Sequence, residues 1–142
     1  LRANKIGIPA GVFSADPLPD RVEGYYKRNV SKYLTIEALI AVENFFKGKY
    51  FNSEIYGLSL ESYLDYIPVS SNNNLSSLII SQISDAVEQV DQLDDDYVFQ
   101  INSNNTQMLY AYDAIQLLVV SFKVDMLQAL SVSVDYVDAD GD

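Results

Sequence analysis

From Asn104 or Thr106 to Leu130 the sequence keeps one apolar period: Met108, Tyr112, Ile115, Val119, Phe122, Met126 and Leu130 recur every three to four residues, with no proline or glycine between them. A repeat of this kind, sustained over so many residues, fits a helix of about 37 Å at 1.5 Å per residue and does not fit a strand, whose side chains alternate with period two. Leu109, Leu117, Leu118, Val120, Val124 and Leu127 widen the apolar face beyond a single stripe. The pattern therefore predicts a central helix contacted on several sides, unbroken at least from Tyr110 to Ala129.

Two further helices follow from the same reasoning. Leu75, Leu78, Ile79, Ile83, Ala86, Val87, Val90 and Leu93 trace one face for about five turns behind a candidate cap at Asn74, and Asp94, Asp95 and Asp96 then place three acids where a helix C-terminus disfavours them. Tyr33, Ile36, Leu39, Ile40, Val42 and Phe46 predict a helix from about Ser31 to Lys47, with Asn29 or Ser31 as cap and Gly48 as terminator. Between them, GLSLESYLDYI reads as a short helix after Ser59, stopped by Pro68. Residues 1–20 carry Pro9, Pro17 and Pro19 and read as an irregular entry or connector, while Val132 to Asp142 alternates valine with polar residues and reads as an extended tail. The expected class is all-α: a helical bundle with an irregular N-terminal entry loop and an extended C-terminal tail.

A chain of 142 residues with 49% hydrophobic residues can bury a real core within one domain or a good part of one. Its formal net charge of -11 repels phosphate backbones and disfavours nucleic acid as a partner. The longest apolar run is interrupted by Gln116 and Lys123, so no transmembrane segment is expected. The chain starts at Leu1 without an initiator methionine or a signal region, which suggests a fragment or processed form.

With no histidine and no cysteine, the residues supply no HExxH zinc site, no Ser-His-Asp triad and no thiolate ligand. No catalytic group is assigned. Asp138, Asp140 and Asp142 alternate as in a calcium loop, but Gly141 falls fourth rather than sixth, which favours a polar turn. The tyrosines Tyr25, Tyr26, Tyr33, Tyr50, Tyr56, Tyr63 and Tyr66 lie beside apolar helix positions and read as the edge of the core with their hydroxyls in water. In the last helix, Asp113 and Gln116 share a face, and Lys123 lies one turn from Val119 and Val120. A cation there either extends to water or requires an ion pair, including one across a domain boundary.

Two stretches resemble the imelysin family of insulin-cleaving outer-membrane proteases. Arg2-Ala3-Asn4-Lys5-Ile6-Gly7-Ile8-Pro9-Ala10-Gly11 is similar to the basic, Gly-Ile-Pro segment that opens the family's second half, and Tyr112-Asp113-Ala114-Ile115-Gln116 through Met126, with the Asp-rich tail Asp138 to Asp142, is similar to its closing helix. Leu58 to Leu64 is similar to a middle segment. The resemblance spans the chain in order. It implies that residues 1–142 are the C-terminal helical half of a protein with two related bundles, that residues 1–20 connect to the first bundle, and that the signature GxHxxE lies in that first bundle. It also implies a bacterial periplasmic or outer-membrane setting, often as a lipoprotein, and iron or another divalent metal in the parent protein but no cofactor held by this chain. The expected role is a binding or scaffold half whose partner is the N-terminal bundle and whose site lies between the two. Half of a metal-dependent peptidase completed by the other bundle, and a purely structural helical domain, are the alternatives. Arg2, Lys5, Asp113, Gln116, Lys123 and Asp125 are the ligand or interface candidates.

Overall fold

The computed structural model of the chain describes residues 1–67 and 74–132. Five α-helices are found among them: α1 (Ser31–Lys47), α2 (Leu60–Tyr66), α3 (Leu75–Asp91), α4 (Tyr97–Val120) and α5 (Leu127–Ala129). A π-helical stretch, Ser121–Met126, joins α4 to α5, so the region from Tyr110 to Ala129 is helical throughout. The fold is an all-α bundle, and the described residues contain no strand, only one isolated bridge between Lys49 and Tyr56. The alternating aspartates Asp138 to Asp142, the extended tail beyond Val132 and the Pro68 stop lie outside the described residues.

The apolar period translates directly into packing. Met108, Ala111, Ile115, Leu118 and Met126 from the last helical region meet Leu75, Ile79, Ile83, Ala86 and Val90 of α3 and Leu39 and Phe46 of α1 in one core. The α3 and α4 helices form a hairpin whose side chains touch across it, with Gln107 donating to Gln92 Oε1 at 3.1 Å. Phe122 in the π-helical stretch packs edge-on to Phe46, ring centroids 5.6 Å apart, and so ties the end of the last helix to α1.

Several helix ends differ from what the local sequence suggests. The α1 N-terminus has no side-chain cap: Val30 holds the cap position, and the Ser31 hydroxyl instead donates to Glu23 O at 2.8 Å. Gly48 does end α1, in the left-handed conformation at φ 68°, with the Lys49 N–H returning to Asn44 O at 2.8 Å. Ser59 and Ser62 close a capping box on α2.

The largest difference is at Asp94 to Asp96. The acids that read as the end of α3 also start α4, which begins at Tyr97 rather than near Asn104. Asp96 Oδ1 accepts from the N–H groups of Val98 at 2.9 Å and Phe99 at 3.2 Å, so its charge lies at the positive end of the following helix. Lys32 answers the end of α3, donating to Leu93 O at 2.9 Å and pairing with Asp95 at 2.9 Å. The expected start near Asn104 survives as a kink: Asn104 has φ -154° and ψ 78° inside α4.

Gln100, only 7% exposed, spans that kink. Its amide donates to Asn104 O at 2.8 Å, and its carbonyl oxygen accepts from Asp94 N–H at 2.8 Å. One side chain thus ties the kink to the α3–α4 turn through two backbone groups.

Tyr97 is 1% exposed. Its hydroxyl has no hydrogen-bond partner among the described residues, and the neighbouring Thr35 hydroxyl donates to Ser31 O at 3.0 Å. Burial pushes the Tyr97 phenol well above its ordinary value of 10.0. The hydrogen bond that Lys32 donates to Asp95 likewise raises Lys32 above 10.5, in spite of the opposing effect of desolvation. Both shifts have the same sign for stability. The folded chain holds these protons more tightly than the unfolded chain, so the contribution is complete below the ordinary values and is lost as pH rises above 10.0 to 10.5. Urea titrations across alkaline pH should show the midpoint falling above about pH 10, with a shallower fall for Tyr97→Phe. At neutral pH, Tyr97→Phe should change stability by less than about 1 kcal/mol or raise it, since it removes a buried hydroxyl that lacks a bond. A loss above about 2 kcal/mol at neutral pH would show that the hydroxyl is bonded after all.

The entry segment is more ordered than an irregular loop. Residues Arg2–Gly7 form a π-helical turn and Pro19–Arg21 a 3-10 turn, and the segment lies along α4, with Ala3, Ile6 and Ala10 buried. Gly7 makes the close approach possible, because a Cβ there would sit 2.7 Å from the Phe13 ring and 2.8 Å from the Tyr112 ring. Gly7→Ala is expected to cost about 1–3 kcal/mol, read as a lower urea midpoint at unchanged slope. No loss would mean that the entry segment sits further from α4.

Candidate interaction surface

The structure separates the six polar candidates into pairs and neighbours. Arg2, in the π-helical turn, donates through Nη1 to Gln116 Oε1 on α4, and its guanidinium carbon lies 5.9 Å from the Tyr112 ring centroid. Entry segment and last helix are therefore brought together through Arg2 and Gln116. Arg2 Nε is buried without a hydrogen-bond partner. Lys5 turns elsewhere and pairs with Glu23. Asp125 accepts from the Ser121 hydroxyl at 3.2 Å, one turn back in the π-helical stretch. Asp113 and Lys123 are both exposed. The six do not converge on one point.

What unites Asp113, Gln116 and Lys123 is the surface they border. The last helix buries one side against α3 and the entry segment, but its broad apolar face is not covered all round. Tyr110 is 56% exposed, Leu117 59%, Val120 39% and Val124 54%. Together with Asp113, the residues Tyr110, Leu117 and Val120 are spaced three, four and three apart and form a seam about 15 Å long on the solvent side of α4, which Val124 continues in the π-helical stretch. Gln116 and Lys123 each directly precede a seam residue and are themselves seven apart, which keeps them on one flank. The expectation of a helix contacted on several sides is met on its inner side only, and its outer side presents aliphatic side chains to water. Exposed apolar groups arranged contiguously mark contact surfaces far more often than isolated ones do.

A second surface went unnoticed at the sequence level. Phe45, 76% exposed, stands between two hollows. One, of about 640 Å³, is walled by Glu37, Asn44, Lys49, Tyr50, Phe51 and Glu54. The other, of about 720 Å³, is walled by Leu58, Leu60, Tyr63 and Tyr66 with Ser59 and Ser62. Lys49 is held between Glu54, at 3.0 Å, and the Tyr56 ring, whose centroid lies 5.8 Å away. Tyr26, Tyr33, Tyr50, Tyr56, Tyr63 and Tyr66 are all exposed rather than at the core edge, and of the seven tyrosines read that way only Tyr25 packs against the core. The adjacent pair Phe45-Phe46 was the available signal, since two neighbouring residues on a helix cannot both face the same core.

Among the described residues no three acidic side chains converge as a cation cage, and no helix is long and apolar enough to cross a membrane. In comparisons with known proteins, no family model, curated protein or solved structure matches the chain.

Proposed function

We propose that the chain is a binding or scaffold module that docks a second helical body against the outer seam of α4, in the manner of the second bundle of an imelysin-like envelope protein receiving its first. The observation that supports this reading is the row of exposed apolar residues on the longest helix, bordered by polar side chains. A helix that finished its packing within this chain would present polar residues there. The cleft so formed has Gln116 and Lys123 on one flank, and Gln116 is already oriented by Arg2. Any metal-dependent chemistry in the complete protein draws its ligands from the partner bundle under this reading. The implied setting remains the bacterial periplasm or outer membrane.

The test is Leu117→Asp. Because Leu117 makes its contacts outside the core, the variant should keep the stability of the chain to within about 0.5 kcal/mol while abolishing association with the parent's first bundle in a titration calorimeter. Undiminished association would overturn the seam as the docking face. The peptidase alternative is separated by a protease assay: pure chain, with or without added zinc, is expected to cleave no protein substrate, since it carries neither histidine nor cysteine. Metal-dependent, chelator-sensitive cleavage by this chain alone would reverse that reading.

A further inference from the structure

We infer that the occupant of the α4 seam is an α-helix in heptad register that carries an arginine or lysine opposite Asp113. This rests on the docking reading above and adds the chemistry of the partner.

The spacing selects a helix. Along α4, Tyr110, Asp113, Leu117 and Val120 alternate steps of three and four residues, which is the spacing that lets two helices interlock along a shared seam, and Val124 extends the apolar row into the π-helical stretch. An extended strand would offer side chains every second residue and would meet this row out of phase after one turn. The occupant must also deal with Asp113, the acid within the row. Covering a carboxylate with apolar side chains is expensive, and the expense falls away only if the partner brings a cation or several donors to it. A polar group at one position of an otherwise apolar seam also fixes register, because any slip by a turn leaves it buried and unpaired. The net charge of -11 acts in the same direction, repelling acidic partners and drawing basic ones. The structure thus assigns Asp113 the role of register residue, with Leu117, Val120 and Val124 supplying the contact area.

Two synthetic helical peptides of three heptads test this, identical except at one position. Both carry leucine opposite Tyr110, Leu117, Val120 and Val124; opposite Asp113 one carries lysine and the other glutamate. The chain is expected to bind the lysine peptide at least about tenfold more tightly than the glutamate peptide. Asp113→Lys should reverse that order, and Leu117→Asp should remove binding of both. Equal binding of the two peptides, both lost in Leu117→Asp, would overturn the role of Asp113 and leave the docking reading standing. No binding of either peptide, or binding unchanged by Leu117→Asp, would overturn the helical occupant and the docking seam together.

Discussion

Phe46→Ala is expected to destabilise the chain by about 3–5 kcal/mol, whereas Phe45→Ala, one residue earlier, should change stability by less than about 0.5 kcal/mol. The two phenylalanines differ only in the direction they face. Phe46 is 0% exposed and packs edge-on to Phe122, so its removal leaves a cavity where α1 meets the π-helical stretch. The cavity also withdraws the contact that holds the far end of the last helix, which makes full collapse around the alanine difficult. Phe45 stands in solvent between two hollows, and truncating it leaves no void inside the bundle. Urea denaturation of both variants decides this. A loss below about 1 kcal/mol for Phe46→Ala would show that the end of α4 is not anchored on α1.

Gln100→Leu should also destabilise the chain, by about 1–3 kcal/mol, although leucine is close in volume and the side chain is buried. The loss comes from the backbone. Without the side-chain amide, Asn104 O at the kink loses the bond from Gln100 and Asp94 N–H in the turn loses its acceptor, while the apolar leucine takes the place of a buried amide. A neutral Gln100→Leu would mean that α4 straightens through Asn104 and recovers an ordinary helical hydrogen bond. Amide exchange at residues 97–103 gives the second readout: these amides should exchange faster in the variant, since the cap at Asp96 alone would then hold a single short turn.

Phe46 and Gln100 mark where sequence patterns carry and where they do not. Met108, Ile115 and Met126 declare their buried side through spacing alone, because a helix repeats every 3.6 residues whatever it packs against. The same period in α3 placed Ile79, Ile83 and Val90 correctly. Asp94 to Asp96 is different. An acidic run between two apolar stretches can end one helix or begin the next, and composition does not distinguish them; the choice is made by the Asp96 bonds to Val98 and Phe99 and by Lys32 reaching from α1. Gln100 was invisible for a related reason, since its two partners belong to a kink that no periodicity announces.

The candidate site shows the same division. Arg2 and Gln116 were both chosen from the sequence, yet nothing local says that residues 114 positions apart hydrogen-bond to each other. For Lys123 the apolar neighbours leave both burial with a partner and extension to water open, and the structure places it at the surface, where Val120 and Val124 are exposed as well. The breadth of the apolar face was legible in the sequence. Which part of it the chain itself covers was not, because that depends on the positions of α3 and the entry segment.

Thiol labelling measures the covering of that seam directly. The chain contains no cysteine, so Leu117→Cys introduces a single reporter at the centre of the seam, and Ser103→Cys supplies an exposed control away from it. In the chain alone both thiols should react at similar, fast rates, as exposed groups do. Under the proposed reading, in which the chain is one half of a longer protein, the Leu117→Cys thiol should react in that longer protein at least about tenfold more slowly than in the chain alone, with the Ser103→Cys rate unchanged, because a docked helix excludes the reagent. Equal rates for Leu117→Cys in the chain and in the longer protein would contradict the docking of a second body on α4.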